Sequence, residues 1–349
     1  MQDFSIAAPL LAWFDKNKRV LPFRTISTPY RVWVSEIMLQ QTRVSAALPY
    51  FERFMAALPT IADLAACEPE QLQKLWEGLG YYSRVRNLQK AAQIVLRDYG
   101  GELPADFDAL QTLPGIGTYT AGAIASICFD LPVVAVDGNV LRVFARLLNC
   151  TGNVLHPDVK KELSAAVQEA QPIARCGDYN EALMELGALV CVPNTAPLCD
   201  ACPLSALCRA RKAGVQSTLP HKTPLRPRKQ LDYTVALVLQ HDTVLLQQRP
   251  QSGLLAGLWQ PLLLTGTLSA DETVAELEKL GILCTVRTVA PAAKHIFTHL
   301  EWRMTGHLCD AAPFILPSGF VFASQRDIEN VYTIPNAFKV YKKELEKLL

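Results

Sequence analysis

The sequence is poor in three features: excess charge of either sign, long uncharged apolar runs and a basic N-terminal segment of the signal type. Its net charge of +1 excludes nucleic-acid binding through a global basic excess, so any such affinity has to come from local patches. Without a signal-like segment or an apolar run of membrane length, we expect neither secretion nor membrane association. Hydrophobic residues make up 50% of the 349 residues, which is enough for sizeable cores and favours two domains.

Four of the ten cysteines lie close together, whereas the other six are scattered singly. Scattered cysteines are typical of a reducing compartment, and a cluster of them indicates a metal site. Four thiolates on one loop are able to hold a [4Fe–4S] cluster or a tetrahedral zinc ion. Zinc ribbons present two CxxC pairs and this loop has one, so the spacing favours iron–sulfur and leaves zinc open. The clustered residues, spaced C-x7-C-x2-C-x5-C, are Cys191, Cys199, Cys202 and Cys208.

A glycine turn at Leu113–Gly117 lies between two predicted helices, over 105–112 and 118–129. Gly115 and Gly117 flank one apolar residue, which lets the backbone turn tightly and expose N–H groups at a helix N-terminus. That position favours a phosphate, although an ordinary helix-to-helix turn has the same pattern.

Two acids stand in apolar surroundings. Asp137 directly precedes a helix predicted to run to about residue 149, where the ordinary role of an aspartate is to cap the helix. Glu36 is the sole acid between Asp15 and Glu52, in a helix predicted to begin at Thr28-Pro29. Its neighbours at helical spacing are uncharged, so we expect a raised pKa and a proton held near neutrality. A partly solvated glutamate on the helix surface is the alternative.

Three segments carry side chains suited to nucleic acid. The turn after Leu79 places Tyr81 and Tyr82, which we expect to be exposed, before a helix with two arginines. Such aromatics suit insertion into a base stack, although tyrosines in turns more often serve for packing. Residues 209–230 contain seven basic and no acidic side chains, which predicts an extended linker that contacts a phosphate backbone or is a solvated tether. The helix of Glu36 ends in side chains able to read base edges, namely Gln40, Gln41 and Thr42.

After residue 231 the pattern changes from helices to strands. Alternating hydrophobicity and turn signals predict a smaller α+β domain with a mixed or antiparallel sheet. Its predicted strands cover 233–239, 243–248, 282–289, 296–308 and 320–323, and its predicted helices cover 270–280 and 336–349.

Together these motifs resemble those of the MutY-type adenine DNA glycosylases, which are members of the helix-hairpin-helix glycosylase superfamily. The resemblance spans nearly the whole chain. It implies a multidomain α and α+β fold, in which an all-helical helix-hairpin-helix glycosylase domain with a [4Fe–4S] loop is followed by a Nudix-like α+β domain. The motifs that carry it are Trp33–Thr42, Gly78–Tyr82, Leu113–Gly117, Asp137–Val140, the four clustered cysteines and Gly253–Trp259.

The resemblance also implies a division of the chain into domains. The helical glycosylase domain would contain a helix-hairpin-helix subdomain and an iron–sulfur subdomain, and a basic linker would join it to the Nudix-like domain. The implied ranges are 1–212 for the helical domain (about 21–133 for the first subdomain, 1–20 with 134–212 for the second), 213–231 for the linker and 232–349 for the Nudix-like domain.

The family excises adenine that is mispaired with 8-oxoguanine or guanine in double-stranded DNA and leaves an abasic site. By resemblance, Glu36 is the general acid that protonates adenine, and Asp137 stabilises the oxocarbenium-like sugar either electrostatically or by transient covalent attachment. This chemistry needs two carboxylates in opposite protonation states. Tyr119 stands where related glycosylase-lyases have a lysine that forms a Schiff base, so the resemblance implies a monofunctional enzyme in which Tyr119 and Asn139 assist. The target adenine has to be flipped out of the duplex.

The resemblance assigns further residues to the substrate and reveals three departures from the family. Gln41 and Tyr81 are expected to fill or probe the vacated stack. Phe23 replaces a common tryptophan, Thr298 replaces a serine, and the first cysteine interval has seven residues where six are usual. The implied substrate residues are Arg19, Arg24, Leu39 and Glu181 at the adenine, Gln40, Thr42, Leu79, Gly115 and Gly117 along the DNA, and Phe297, Thr298 and His299 at the 8-oxoguanine.

Other functions stay open at this point. A bifunctional glycosylase-lyase of the endonuclease III type and a non-catalytic DNA-binding iron–sulfur protein would share most of these motifs. A Nudix pyrophosphatase is rejected, because ADETVAELEKLG over 270–281 lacks the arginine and the acid spacing that bind magnesium. We expect a monomer that acts on DNA in the bacterial cytosol, at the nucleoid, without membrane association.

Overall fold

The computed structural model describes residues 5–223 and 227–349, whereas residues 1–4 and 224–226, the latter inside the predicted linker, lie outside the described residues. The described chain forms two compact units. The helical unit contains the described parts of 1–66 and 86–225, and the sheet unit contains 67–85 and the described part of 226–349. Residues 67–85, which include Tyr81, therefore pack with the C-terminal residues. The predicted boundaries at residues 212 and 231 stay predictions.

Helices dominate the chain up to residue 212, because apolar side chains recur at helical spacing and caps or prolines mark helix starts. Thr28 accepts a hydrogen bond from the backbone N–H of Arg31 (3.4 Å), and Pro29 occupies the first turn of that helix, as predicted. The helices are α1 (Ala7–Asn17), α2 (Pro22–Thr25), α3 (Pro29–Leu39), α4 (Val44–Ala57), α5 (Ile61–Ala66), α6 (Pro69–Leu75), α7 (Ser83–Asp98), α8 (Phe107–Thr112), α9 (Thr118–Phe129), α10 (Gly138–Leu148), α11 (Pro157–Glu169), α12 (Cys176–Leu189) and α13 (Arg209–Lys212).

The core of one half of the helical unit lies where α1, α10 and α12 meet, and α12 also packs against α9. Phe14, Phe144 and Tyr179 are fully buried there, and each such side chain contributes about 1.5–3 kcal/mol to stability. In the other half, α3 packs against α4 and α9 and is buried over residues 32–38. The functional residues on α3, α9, α10 and α12 are therefore held by packed helices and not by loops.

The sheet unit is built on one mixed sheet, in the order β3-β2-β1-β6-β5, with β4 also paired to β1 and β7 to β2. Strands β1 and β6 run parallel, and the other pairs are antiparallel. The elements are β1 (Lys229–Gln240), β2 (Thr243–Gln248), β3 (Trp259–Gln260), β4 (Leu262–Thr265), α14 (Ala270–Lys279), β5 (Cys284–Ile296), β6 (Leu300–Ala311), β7 (Phe320–Ala323), α15 (Gln325–Asn330) and α16 (Lys339–Leu348).

Both faces of this sheet are covered, because alternate residues of a strand point to opposite faces. Val235 and Leu237 of β1 pack in a cluster with Tyr341 of α16, whereas Ala236 of β1 packs in a second cluster with Leu277 of α14. Apart from Thr234, the buried part of the central strand is therefore apolar, as is typical of a strand covered on both faces.

Most predicted elements are present. The helix over 118–129 and the strands over 243–248 and 320–323 have the predicted bounds, and the sheet is mixed, one of the two predicted forms. The prediction of an extended chain over 209–230 is wrong at its start, because Arg209–Lys212 forms a helical turn; at its end, Lys229 and Gln230 already belong to β1. The last helix begins at Lys339, after a 3-10 turn over Asn336–Phe338. None of the described helices is long and apolar enough to cross a bilayer.

Candidate active site

A cavity of about 470 Å³ in the helical unit collects most of the residues predicted to act on adenine. Its volume lies in the range of small-molecule sites. Side chains from α2, α3, α9, α10 and α12 line it, and Phe23 forms part of the wall. The predicted site residues that line this catalytic cavity are Arg19, Arg24, Glu36, Leu39, Thr42, Tyr119, Asp137, Asn139 and Glu181.

Glu36 lies on α3 and is only 7% exposed. The Tyr119 hydroxyl donates a hydrogen bond of 2.6 Å to its Oε2 atom. Burial raises the pKa of Glu36 to about 7; the bond from Tyr119 opposes this rise, and the charges of Glu181 and Asp137 add to it. The predicted raised pKa is confirmed, and the alternative of a solvated surface glutamate is wrong.

Asp137 caps α10, as predicted. Its Oδ1 atom accepts hydrogen bonds from the backbone N–H groups of Asn139 and Val140, both at 2.8 Å, and its Oδ2 atom accepts one from Asn139 Nδ2 at 2.7 Å. Burial raises the pKa of Asp137 above its ordinary value, although these three bonds and the charge of Arg142 oppose the rise. Three donors aimed at one carboxyl group favour its ionised form. Glu36 and Asp137 thus have different surroundings in the same cavity.

The segment before Asp137 is fixed by Asn180, a fully buried residue of α12. Asn180 Nδ2 donates to Val133 O (2.9 Å) and to Ser126 Oγ (2.8 Å), and its Oδ1 atom accepts from the N–H of Ala135 (3.1 Å). These bonds satisfy buried backbone groups that would otherwise destabilise the fold. Sequence reasoning missed Asn180, since nothing in the linear pattern indicates which helix faces this segment.

Two arginines and two glutamates form one wall of the catalytic cavity. Arg19 donates to both carboxylate oxygens of Glu185 (2.7 and 2.8 Å), and Arg24 bridges Glu181 (2.7 Å) and Glu185 (3.1 Å). Burial alone would raise the pKa of Glu185, but its bonds to Arg19 and Arg24 lower it to about 2. For Glu181, burial raises the pKa more than Arg24 lowers it. Glu185 was missed, although its position four residues after Glu181 on one helix could have indicated it.

Tyr119 links Glu36 to Met184, and Arg142 links Asn139, which binds Asp137, to Cys191. Burial raises the pKa of Tyr119 far above its ordinary value, so its hydroxyl is a neutral donor, and it also lies 3.2 Å from the sulfur of Met184. Arg142 donates from Nη2 to Asn139 Oδ1 (2.9 Å) and from Nε to the carbonyl of Cys191 (2.8 Å). Met184 and Arg142 were both missed from the sequence. An arginine on α10 therefore joins the Asp137 loop to the first clustered cysteine.

The two glutamines after α3 and the two glycines before α9 do not line the catalytic cavity. Gln40 Nε2 donates to Thr120 Oγ1 (3.3 Å), whereas Gln41 is exposed and has a positive φ of 59°. Position 115 requires glycine, since its φ is +80° and a Cβ atom on Gly115 would lie 2.9 Å from Cβ of Asn87. Gly117 precedes α9 with a φ of −93° and open space around it, so its position does not require glycine on steric grounds.

The remaining predicted residues lie in the sheet unit. Leu79 is buried, and Tyr81 is 49% exposed with a positive φ of 47°. Tyr82, which we expected to be exposed, is buried at 4%. Phe297 packs its ring against Trp302 (centroids 4.9 Å apart), while Thr298 and His299 are exposed.

Tyr81 and Thr298 meet within the sheet unit: the Tyr81 hydroxyl lies 3.2 Å from Thr298 Oγ1. Two side chains that the sequence analysis assigned to DNA, one before the helix-hairpin-helix turn and one after β5, therefore stand next to each other. Their separation of 217 positions in the sequence gave no sign of this contact.

The four clustered cysteines surround one small cavity, of about 30 Å³. Arg146 Nη1 lies 3.2 Å from the sulfur of Cys191, and the thiol of Cys208 donates to the carbonyl of Arg146 (3.4 Å). The long first interval folds back because the N–H of Leu198 donates to Val190 O (2.9 Å) and Asn194 adopts a positive φ of 60°. No group of three or more His, Cys, Asp or Glu residues in the described ranges is arranged to hold a metal ion.

The fold and the catalytic cavity define a base excision repair protein of the helix-hairpin-helix class. The family described as HhH-GPD superfamily base excision DNA repair protein matches residues 34–169, and the NUDIX domain family matches residues 234–343. The structure of a thermostable thymine-DNA glycosylase is similar to this chain, with a TM-score of 0.54 and 27% identity over 59% of this chain and 94% of that one. A non-covalent endonuclease III–DNA complex gives a TM-score of 0.50 and 26% identity over the same shares.

Similar proteins from other organisms indicate one family within this class. Adenine DNA glycosylase of Mus musculus is 37% identical over 84% of this chain and 68% of its own length. Two further adenine DNA glycosylases are similar to this chain. That of Homo sapiens is 38% identical over 72% of this chain and 56% of its own length. That of Schizosaccharomyces pombe is 32% identical over 97% of this chain and 88% of its own length. The chain belongs to the adenine DNA glycosylase family.

These matches confirm the predicted family, the predicted succession of a helical domain and a Nudix-like α+β domain, and the predicted class of enzyme, a DNA N-glycosylase. The chain spans 58% of the length of the Rattus norvegicus relative and 56% of that of the human one.

Proposed function

We propose that this chain is a monofunctional glycosylase that flips adenine out of duplex DNA and excises it where it faces 8-oxoguanine or guanine. The observation that carries the proposal is the pair of carboxyl groups in one cavity, with Glu36 buried beside Tyr119 and Asp137 held by three hydrogen-bond donors. Hydrolysis of a glycosidic bond uses one protonated and one ionised carboxyl group in this way.

Glu36 is the general acid of this mechanism. Because Tyr119 occupies Oε2, the Oε1 atom is left to carry the proton toward the base. Transfer of that proton to N7 of adenine lets the base leave as a neutral molecule while the bond from its nitrogen to C1′ of the sugar breaks. Water then adds to C1′, and the proton that water loses returns to the Glu36 carboxylate.

Asp137 stabilises the positive charge that develops on the sugar. A carboxylate fixed by the N–H groups at the start of α10 needs little reorganisation when this charge appears, which is the source of electrostatic catalysis. Asn139 holds Oδ2 of Asp137, and Arg142 holds Asn139 in turn. Asn139 and Arg142 thereby position the carboxylate and do not exchange protons with the substrate.

The absence of lyase chemistry follows from the groups available. Schiff-base formation at C1′ requires an amine of lysine type. Tyr119 offers a phenol of raised pKa, and the described residues that line the catalytic cavity include arginines but no lysine. The chain should therefore release adenine and leave the sugar–phosphate backbone intact.

DNA is proposed to contact both units. The N–H groups at the start of α9, after Gly115–Gly117, would bind a backbone phosphate, and Gln41 and Tyr81 would fill the place of the flipped adenine. In the sheet unit, Phe297–His299 would contact the 8-oxoguanine, with the exposed hydroxyl of Thr298 as the polar group. We further propose a monomer in the bacterial cytosol, supported by ten cysteines without a disulfide.

The clustered cysteines are proposed to hold a [4Fe–4S] cluster. Cys191, Cys199, Cys202 and Cys208 offer four sulfur donors around a shared cavity, and four thiolates are the usual ligand set of such a cluster. A bound cluster would supply structural cross-linking of the loop after α12. Broad visible absorption with about four irons per chain supports this assignment, whereas one zinc per chain would contradict it.

The activity is tested with three duplexes that contain adenine opposite 8-oxoguanine, guanine or thymine. Each is incubated with the protein, and strand breaks are compared with and without hot alkali. We expect breaks at adenine in the first two duplexes only, and only after alkali, because an abasic site is alkali-labile. Breaks without alkali would indicate the endonuclease III type of enzyme, and the absence of any breaks would favour a non-catalytic DNA-binding protein.

A further inference from the structure

A second cavity, of about 340 Å³, adjoins the catalytic cavity in the helical unit. The two share lining residues, among them Arg24 and Glu181, whose Nε and Oε1 atoms form an ion pair 2.7 Å apart with side chains 15% and 17% exposed. A contact between two side chains opens by rotamer changes, without displacement of the backbone. The residues that line both cavities are Arg19, Leu21, Arg24 and Glu181.

The two cavities reach different parts of the surface. Residues 42–45, which directly follow the base-reading glutamines, line the catalytic cavity and do not line the second one. The second cavity is bordered instead by exposed residues of the α1–α2 loop, of the end of α2 and of the chain just after it, namely Lys18, Val20, Thr25 and Ser27. DNA that covers the glutamine side would leave this second opening in contact with solvent.

The proposed reaction creates a need for such an opening. Once the glycosidic bond has broken, the free adenine lies between the DNA and the cavity wall. We infer that the second cavity is a passage through which neutral adenine leaves while the abasic DNA stays bound. The inference rests on the proposed function, since it needs adenine to be released into the catalytic cavity.

The chemistry of the passage suits a neutral purine. Leu21 and Ile127 offer apolar surface to the ring, and the carboxylates of Glu181 and Asp178 accept hydrogen bonds from an amino group. Its volume is within the range of sites that take small ligands and is smaller than that of the catalytic cavity. Opening the Arg24–Glu181 pair would join the two spaces.

The test blocks the passage from its solvent side. Ser27→Trp places a large side chain in the second cavity without altering any residue that lines the catalytic one. The matched control is Ile26→Trp, because Ile26 is 57% exposed, is the adjacent residue and lines neither cavity. A duplex with radiolabelled adenine opposite 8-oxoguanine is cleaved in a single turnover by excess protein. Excision is counted as alkali-labile sites, and release as label that no longer elutes with the protein–DNA complex.

We expect Ser27→Trp to excise at the rate of the parent and the control but to release adenine about fivefold or more slowly, since product release is a separate step. Release that keeps pace with excision in Ser27→Trp overturns the passage. Failure of the proposed function is distinguishable, because the parent protein itself would then form no alkali-labile sites.

Discussion

At the scale of single residues, the site depends on two carboxyl groups that differ in what surrounds them. Glu36 has one hydrogen-bond donor, Tyr119, and is otherwise enclosed by the protein, so burial decides its pKa. Burial also raises the pKa of Asp137, yet three hydrogen bonds oppose this rise and favour its charged form. Residue type does not separate the two roles; the count of donors around each carboxyl group does.

The raised pKa of Glu36 has a consequence for stability. The group is protonated more readily in the folded chain (pKa about 7) than in the unfolded one (4.5), so its contribution is complete below the unfolded value and is lost as the pH rises through about 7. Glu36→Gln removes this loss. We expect the free energy of unfolding of Glu36→Gln, relative to the parent, to rise by about 2 kcal/mol between about pH 5 and about pH 8. Denaturant titrations of both proteins at the two pH values measure it, and a constant difference would contradict the burial of an ionisable Glu36.

Asn180 should be as important for excision as the residues in the cavity. Asn180→Ala leaves Ala135 N–H and Val133 C=O without their buried partner, so we expect a loss of about 2–4 kcal/mol in unfolding free energy and much slower excision. Gln168→Ala is the control, because Gln168 binds the carbonyl of Pro132, in the same segment, from the exposed side (3.0 Å). Thermal melts and single-turnover excision compare the two variants. Equal effects would show that Asn180 has no special part in holding the segment before Asp137.

At the scale of elements, α9 and α12 approach the backbone around Asp137 so closely that only glycine fits at the points of contact. A Cβ atom on Gly122 of α9 would lie 2.3 Å from the carbonyl oxygen of Val134, and one on Gly187 of α12 would lie 2.6 Å from Cβ of Asn139. Two helices thus press against the backbone on either side of Asp137. The packing of α9 and α12 together therefore fixes the position of the Asp137 carboxylate.

The close approach of α9 gives a direct prediction. Gly122→Ala forces the segment at Val134 away from α9, and we expect a loss of about 1–3 kcal/mol in stability together with impaired excision. Gly138→Ala is the control, since a Cβ atom there meets nothing within 4 Å. Melting temperatures of the two variants decide the matter. If Gly122→Ala melts like Gly138→Ala, the contact with Val134 is not tight in solution.

At the scale of the whole molecule, the sequence alone predicted the architecture and the centre of the site but not the partners of its residues. Glu36 and Asp137 stood out because each is an acid in an apolar stretch, and the cysteine spacing stood out as a pattern. Met184 and Asn180 did not, because the side of α12 that faces the cavity is defined only once α9 and α10 have packed, whereas Glu185 was missed despite its helical spacing from Glu181. The exposure of Tyr82 was mispredicted for a related reason, since a turn sequence does not tell which of two tyrosines points inward.

The grouping of residues 67–85 with the sheet unit was equally invisible in the sequence. Lys342 Nζ donates to Glu77 Oε1 (2.8 Å), and Asn336 Nδ2 donates to the carbonyl of Gly78 (3.0 Å), so the turn before Tyr81 is tied to the C-terminal part of the chain. Such contacts between residues more than 250 positions apart follow from the fold and have no local pattern.

The contact between Tyr81 and Thr298 predicts a role in discrimination. Thr298→Val keeps the shape of the side chain and removes the hydroxyl, which lies 3.2 Å from the Tyr81 hydroxyl. We expect the preference for adenine opposite 8-oxoguanine over adenine opposite guanine to fall by about fivefold, the equivalent of one hydrogen bond of about 1 kcal/mol. Thr288→Val, at an exposed position on β5, is the control. An unchanged preference in Thr298→Val would remove Thr298 from the recognition of the oxidised base.

The central claim, that Glu36 is the acid which protonates adenine, is tested most directly by the pH dependence of single-turnover excision in the parent and in Glu36→Gln. Because only the protonated form is active, the rate constant of the parent should fall about tenfold for each pH unit above about 7, where Glu36 loses its proton. Glu36→Gln should bind the mispaired duplex yet excise more slowly by a factor of about 10²–10⁴, with no fall above that pH. A Glu36→Gln protein that excises adenine at a rate close to that of the parent, with the same pH profile, would contradict the account.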